Sequence, residues 1–276
     1  MASRPSRTSI PPSCGCRCTK DANQPRRPPP SPPLRQPALG PPPGSALHLQ
    51  PKGKTAMTAP QNLPHDSALA AATAAAARVW TCAPGMPEAD LERALLPTLR
   101  RHFDNVDAPT RKSFTVPNWN PYPRGIDLLV RHTNGSPWIP IELKVEATDQ
   151  TLWDAYKLIA LLELPSVECA YLICAARTTT WASGRNCVEL FPSESRQAVT
   201  LDSHSLFARN RAAWNGLLLG GRARPTSIPA EIVVEPIAAT TCALVPGYEI
   251  RAVRVTPGGG SLTFENDWPL GLAMTA

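Results

Sequence analysis

No run of eighteen apolar residues occurs in the 276-residue chain, which excludes a membrane-spanning helix of ordinary length. The N-terminus also lacks the continuous apolar stretch of a secretory signal and has charges and prolines in its place. A soluble, cytoplasmic protein is the expectation. Any CxxC pair is missing too: Cys82, Cys169, Cys174, Cys187 and Cys242 are scattered singly and read as buried free thiols, not a disulfide frame. Cys14, Cys16 and Cys18 form a CxCxC cluster, but its spacing is not that of a zinc knuckle and no fourth ligand lies near it. His65, His102, His132 and His204 show no metal-ligand spacing either. A phosphate-binding loop is absent: Gly53-Lys54-Thr55 has the right ending, yet His48 stands where the first glycine is required.

Acid is nearly absent from the first 60 residues, which hold nine Lys and Arg against Asp21 alone. The chain's net charge of +6 therefore divides into +8 for this segment and −2 for the remainder. Overall charge is then no argument for nucleic-acid binding by the folded part. The same segment holds fifteen of the thirty-three prolines and almost no aromatic or β-branched residues. It cannot bury enough surface to offset its conformational entropy, so residues 1–60 read as a disordered Pro/Arg-rich tail. Met57 stands where the composition becomes domain-like, so residues 1–56 read as an upstream extension, a mis-assigned start or simply a solvated linker.

Beyond the tail the sequence is patterned. The alanine-rich run Ser67–Trp80 predicts a helix capped by Ser67. Pro87 opens a second helix to about residue 103, with Leu91, Leu95, Leu99 and Phe103 on one face and Pro97 as a candidate kink. Arg111–Val116 and Ile126–His132 read as strands. Asn134-Gly135 then predicts a tight type I′ hairpin turn into a third strand, Trp138–Val145. Thr148 or Asp149 caps a helix over 150–164 with an apolar face of Leu152, Tyr156, Ile159 and Leu162, and Cys169–Ala175 reads as a buried strand. Further on, Val188–Phe191, Glu231–Ile237, Tyr248–Val255 and Ser261–Glu265 read as strands and Ser205–Leu219 as a helix. The expected organisation is an α/β domain over 65–200, with its core at 86–176, and a C-terminal β-rich α+β extension or annex over 201–276.

Chemistry concentrates on one hairpin. If Asn134 and Gly135 are the turn residues, Asp127 falls opposite Glu142, which places two carboxylates on one sheet face about 5 Å apart. Lys144, two residues on, shares that face. Pro140 cannot donate to the ladder, so a bulge there would shift the register by one. Adjacent carboxylates repel unless a cation sits between them, and Mg2+ accepts oxygen ligands, keeps waters and clamps phosphate. The Lys144 ammonium can hold or deprotonate an attacking water.

The stretches Gly125-Ile126-Asp127-Leu128-Leu129-Val130 and Ile139-Pro140-Ile141-Glu142-Leu143-Lys144-Val145 resemble the PD-(D/E)xK nuclease superfamily, the restriction-endonuclease-like enzymes. The resemblance covers about a third of the chain and implies an αβββαβ sandwich core with a mixed sheet. It further implies that Asp127, Glu142 and the Leu143 carbonyl hold Mg2+, with Mn2+ as a substitute, and that Lys144 assists the nucleophilic water. Many members add a glutamate from the first helix, for which Glu88 is the first choice and Glu92 the second. Gly-Ile stands before the aspartate where the motif has proline. Gln150 and Tyr156 loosely resemble a pair on the following helix in one branch, but their spacing differs from that branch.

With twelve Glu and six Lys, ExK arises by chance only about a quarter of a time, and here the single instance lies on an apolar strand joined by a hairpin to an aspartate. The implied function is a metal-dependent nuclease hydrolysing DNA phosphodiesters, in restriction, repair or phage defence. RNA is the alternative polynucleotide, no membrane is involved, and a homodimer is compatible with this reading. Three plainer readings stand beside it. The fold persists as a non-catalytic module binding DNA or protein, the chain is an unrelated α/β protein with a chance hairpin, or Glu142 and Lys144 are an exposed pair worth under about 1 kcal/mol. Trp119, in a run of turn residues, either stacks on a base or covers the core edge.

A chain beginning at Met57 is expected to melt within about 5 °C of the full chain, because the removed residues have no apolar periodicity to contribute. Differential scanning calorimetry checks this, and a larger drop contradicts it.

Overall fold

The computed structural model describes residues 63–108, 114–119, 125–184, 187–192, 197–210, 225–265 and 268–269. The expected tail, the CxCxC cluster and residues 211–219 of the expected late helix lie outside them. Helix α1 spans Pro64–Val79, earlier than the sequence predicts. Pro64 presets the first helical φ, and Asp66 accepts the Leu63 N–H at 2.8 Å, so Ser67 is not the cap. Helix α2 spans Pro87–His102 and continues through Pro97; its Leu91, Leu95 and Leu99 are wholly buried.

Strands β1 (Asn105–Asp107), β2 (Leu128–Arg131), β3 (Ile139–Val145) and β4 (Ala170–Arg177) come next, with α3 (Asp149–Leu161) between β3 and β4. Thr148 is the N-cap residue of α3. After the short α4 (Thr178–Ala182) come β5 (Val199–Asp202), α5 (Ser203–Arg209), β6 (Ser227–Pro229), β7 (Glu231–Thr241), β8 (Tyr248–Pro257), β9 (Ser261–Glu265) and β10 (Trp268–Pro269). The main sheet is mixed and seven-stranded, in the order β1-β2-β3-β4-β8-β7-β5, and β10-β9-β6 form a small second sheet. Only β3 and β4 pair in parallel, joined by α3; the other neighbours are antiparallel. The strands expected at 231–237 and 248–255 are thus members of the main sheet, and β8 lies directly beside β4.

Alternation along the central strands explains the layers. Leu128, Val130, Ile139, Ile141, Leu143, Tyr171 and Ile173 join the core formed with α1 and α2. Leu129, Leu172 and Cys174 join the core on the opposite face with α3 and α5. Both faces are covered, so β3 and β4 are apolar on each side except where charge is placed. Among the described residues no helix is long and apolar enough to cross a membrane.

Two expected strands are corrected. Residues 111–113 lie outside the description, and Phe114–Val116 forms no strand: Val116 makes only an isolated bridge to Trp119 across a turn closed by the Trp119 N–H. The first strand is Asn105–Asp107, where Val106 pairs with Val130. Val188–Leu190 is a single 3-10 turn, because Cys187 before it takes a left-handed φ of 60°, which breaks an extended run. The late helix begins at Ser203, with the Asp202 carboxylate accepting the Ser205 N–H at 2.8 Å.

A buried polar tether joins α1 to the sheet. Asp66 accepts from Arg254 at 3.0 Å and from the Tyr171 hydroxyl at 2.8 Å, and Arg254 also binds Glu235. Removing one partner leaves the Arg254 charge under-compensated in the interior. Asp66→Ala is expected to destabilise the fold by about 3–5 kcal/mol in urea denaturation. A loss under about 1 kcal/mol would place the stability of α1 in its apolar contacts alone.

Candidate active site

The register of β2 against β3 positions the first two residues. Leu128 pairs with Ile141, Leu129 with Pro140 and Val130 with Ile139, so Pro140 introduces no shift. The paired ladder ends at Leu128; carried one step further, its register directs Asp127 toward Glu142, whose carboxyl feels the Asp127 charge. Asp127 stands at the bend leading into β2, and its carboxylate accepts the Leu143 N–H at 2.7 Å. In an extended strand a residue's N–H and C=O point to the same edge, so the Leu143 carbonyl is directed to the Asp127 side as well.

The hairpin turn differs in type from the expectation. Ser136 N–H closes it onto the Thr133 carbonyl at 3.2 Å, but only Gly135 has a left-handed φ, 97°, and Asn134 does not. A type I′ turn needs both. The connection is looser, because Arg131 lies over the Trp138 ring at 4.3 Å and Trp138 bridges to Val167 instead of continuing the β2–β3 ladder.

Glu142 is 2 % exposed, on the sheet face covered by α3. Burial pushes its carboxyl well above the ordinary range, and Asp154 and Asp127 push it the same way, opposed by Lys157. The opposing charge is close: Lys157 Nζ is 2.5 Å from Glu142 Oε1 and 3.2 Å from Asp154 Oδ1, and it donates to the Gly125 carbonyl at 3.0 Å. Gly125 takes a φ of 91°, a conformation unfavourable to other residues, two residues before Asp127 at the bend leading into β2. Asp154 extends its other oxygen to Lys144 Nζ at 3.1 Å. For Lys144, burial opposes the charge, yet Asp154, Glu88, Asp127 and Glu142 outweigh it and hold the ammonium above its usual value.

Helix α2 brings both of its candidate glutamates to this place. Glu88 lies 3.7 Å from Lys144 Nζ and is half exposed, on the open side of the cluster. Glu92, one turn on, is half-buried, and burial together with the Asp127 charge raises its carboxyl. Asp127, Glu142, Lys144 and Glu88 are therefore gathered, and Glu92 belongs with them.

Sequence reasoning misses Asp154 and Lys157, although a signal is present. Between Leu152 and Leu162 they are the only charged residues, an i,i+3 pair in an otherwise apolar helix. Charges in such a helix are buried and have to be partnered. Gln150 is exposed, and Tyr156 packs against Phe207 with its hydroxyl beside Ser203, away from the cluster. Trp119 is 1 % exposed and meets Trp153 edge-on, so it covers the core. His65 and His132 contact each other at 2.6 Å at the start of α1 and the end of β2, with no part in this cluster.

Five carboxylates (Glu88, Glu92, Asp127, Glu142, Asp154) meet two ammoniums (Lys144, Lys157), three negative charges in excess when all are ionised. Among the described residues no group of three or more His, Cys, Asp or Glu side chains is placed to hold a metal ion. The donors that fit a hard cation are the Asp127 and Glu142 carboxylates and the Leu143 carbonyl, a set suited to Mg2+, which retains several waters.

In chelator, Asp127→Asn is expected to melt no lower than the wild type. The amide oxygen can still accept the Leu143 N–H, and a charge facing Glu142 and Glu92 is gone. Scanning calorimetry reads this directly. A clear drop would mean that attraction to Lys144 outweighs the repulsion.

Searches against protein-family models, curated proteins and solved structures find no match to this chain, so its functional reading comes from the geometry of this cluster.

Proposed function

We propose that the chain is a metal-dependent nuclease with a restriction-endonuclease-like core, hydrolysing phosphodiester bonds of DNA. The observation that carries this reading is that Asp127, whose carboxylate accepts the Leu143 N–H, stands beside Glu142 and Lys144 of β3 at a point where helices from both sides of the sheet contribute charge. The succession α2-β1-β2-β3-α3-β4, antiparallel through β3 and parallel at β4, agrees with the αβββαβ order that the sequence motif implies.

When bound, Mg2+ or Mn2+ supplies Lewis acidity toward a phosphate oxygen and a more acidic water. The chain's own groups do the rest. Asp127 and Glu142 supply ligand charge from two adjacent strands, so the register fixes their separation. Leu143 offers its carbonyl from the same edge. Lys144, ion-paired with Asp154, is an ammonium, so its work is to orient the attacking water and balance charge developing on phosphate rather than to remove a proton. Glu88 sits on the exposed side, where it can accept hydrogen bonds from ordered water.

Purified protein is expected to cleave single-stranded, double-stranded or branched DNA in Mg2+ or Mn2+ and none in chelator. Asp127→Asn should abolish cleavage and metal binding together. Lys144→Ala should retain metal affinity while losing roughly 100-fold or more in turnover. Equal metal affinity in wild type and Asp127→Asn, or wild-type turnover in Lys144→Ala, sinks the mechanism. DNA binding with no cleavage in any metal favours a binding module.

A further inference from the structure

The Lys157 ammonium is surrounded by oxygen. Glu142 Oε1 is 2.5 Å away, the Gly125 carbonyl 3.0 Å and Asp154 Oδ1 3.2 Å. The residue is 6 % exposed and its side chain crosses from α3 to the sheet. Two carboxylates and a backbone carbonyl are also the donors of a hard divalent cation site. Phosphodiester hydrolysis in many two-ion sites places the ions about 3.5–4 Å apart, bridged by a carboxylate. Here Glu142 could share its carboxylate between the Lys157 ammonium, which meets Oε1, and an ion that Asp127 and the Leu143 carbonyl would also hold.

We propose that this site takes a single divalent ion, and that the position of a second is permanently filled by the Lys157 ammonium. The inference rests on the metal-dependent reading of the site and deepens it. Lys157 is then a positioning residue: it holds Glu142 by one oxygen and leaves the other for the ion. Asp154 belongs to the ammonium's shell, since its two oxygens are divided between Lys157 at 3.2 Å and Lys144 at 3.1 Å. An ordinary surface pair on one helix would reach neither the β3 carboxylate nor the Gly125 carbonyl, and it would not be buried.

The test is a Mn2+ titration of the full chain, by calorimetry for stoichiometry and by electron paramagnetic resonance for coupling between ions. Wild type is expected to bind one Mn2+ per chain with no Mn–Mn coupling. Lys157→Met, which keeps the apolar stem and removes the charge, is expected to bind two, with dipolar coupling. Asp154→Asn is expected to keep one ion, with its affinity changed by less than tenfold. Two ions in wild type, one in a folded Lys157→Met, or none in Asp154→Asn would each overturn the proposal. If Lys157→Met does not fold, the wild-type and Asp154→Asn stoichiometries still decide it. No ion in wild type overturns the metal-dependent reading itself, an outcome distinct from two ions, which overturns only the substitution by Lys157.

Discussion

A carboxylate that is 2 % exposed in the middle of a central strand needs positive charge close by, and Glu142 obtains it from Lys157. Much of the arrangement around the site depends on this pair. Lys157 reaches Glu142 because α3 covers the sheet face that carries it, and the parallel β3–α3–β4 crossover sets the helix there. Lys157 needs further oxygen partners, which Asp154 and the Gly125 carbonyl provide. Asp154 in turn ties Lys144 to the same network. The charges are mutually dependent, so removing one leaves another exposed to an unfavourable interior.

The network extends from the interior to the half-exposed Glu88 of α2. β3 runs on past the start of β2, and Asp127, at the bend leading into β2, takes the Leu143 N–H with its side chain. Glu142, Asp154 and Lys157 are buried there, while Asp127 and Glu92 are half-buried and Glu88 is half exposed. α2 packs on one face of the sheet through Leu91, Leu95 and Leu99, and α3 covers the other. Their charged residues converge at a single edge because the apolar faces of both helices are committed to opposite cores. This leaves an excess of carboxylate at the edge, the electrostatic condition a divalent cation relieves.

Much of this is legible in the sequence, for a local reason. The β2–β3 register depends on residues close in the chain, so placing Asn134 and Gly135 at the turn predicts Asp127 opposite Glu142 even though the turn is of a different type. Spacing of four along α2 identifies its buried face, whereas Glu88 and Glu92 come into consideration only through the family resemblance, which implies a glutamate on the first helix. Contacts distant in sequence are less accessible. The attachment of β8 beside β4 depends on pairing between residues some 80 apart, which no local period reveals. The strand expected at 111–116 is not formed at Phe114–Val116, its described part, because β-branched composition alone cannot distinguish a strand from a tight turn ending at Trp119. Asp154 and Lys157 escape notice because the apolar face of α3 draws attention to its hydrophobic residues and away from its two charges.

Anomalous diffraction from crystals grown with Mn2+ locates the ion without depending on turnover, and so bears on the metal site more directly than any activity assay. One anomalous peak is expected, bounded by the Asp127 and Glu142 carboxylates and the Leu143 carbonyl, with Lys157 still against Glu142. No peak at that position under saturating Mn2+, or a peak elsewhere with Asp127 and Glu142 unliganded, would contradict a metal centre built on the β2–β3 register.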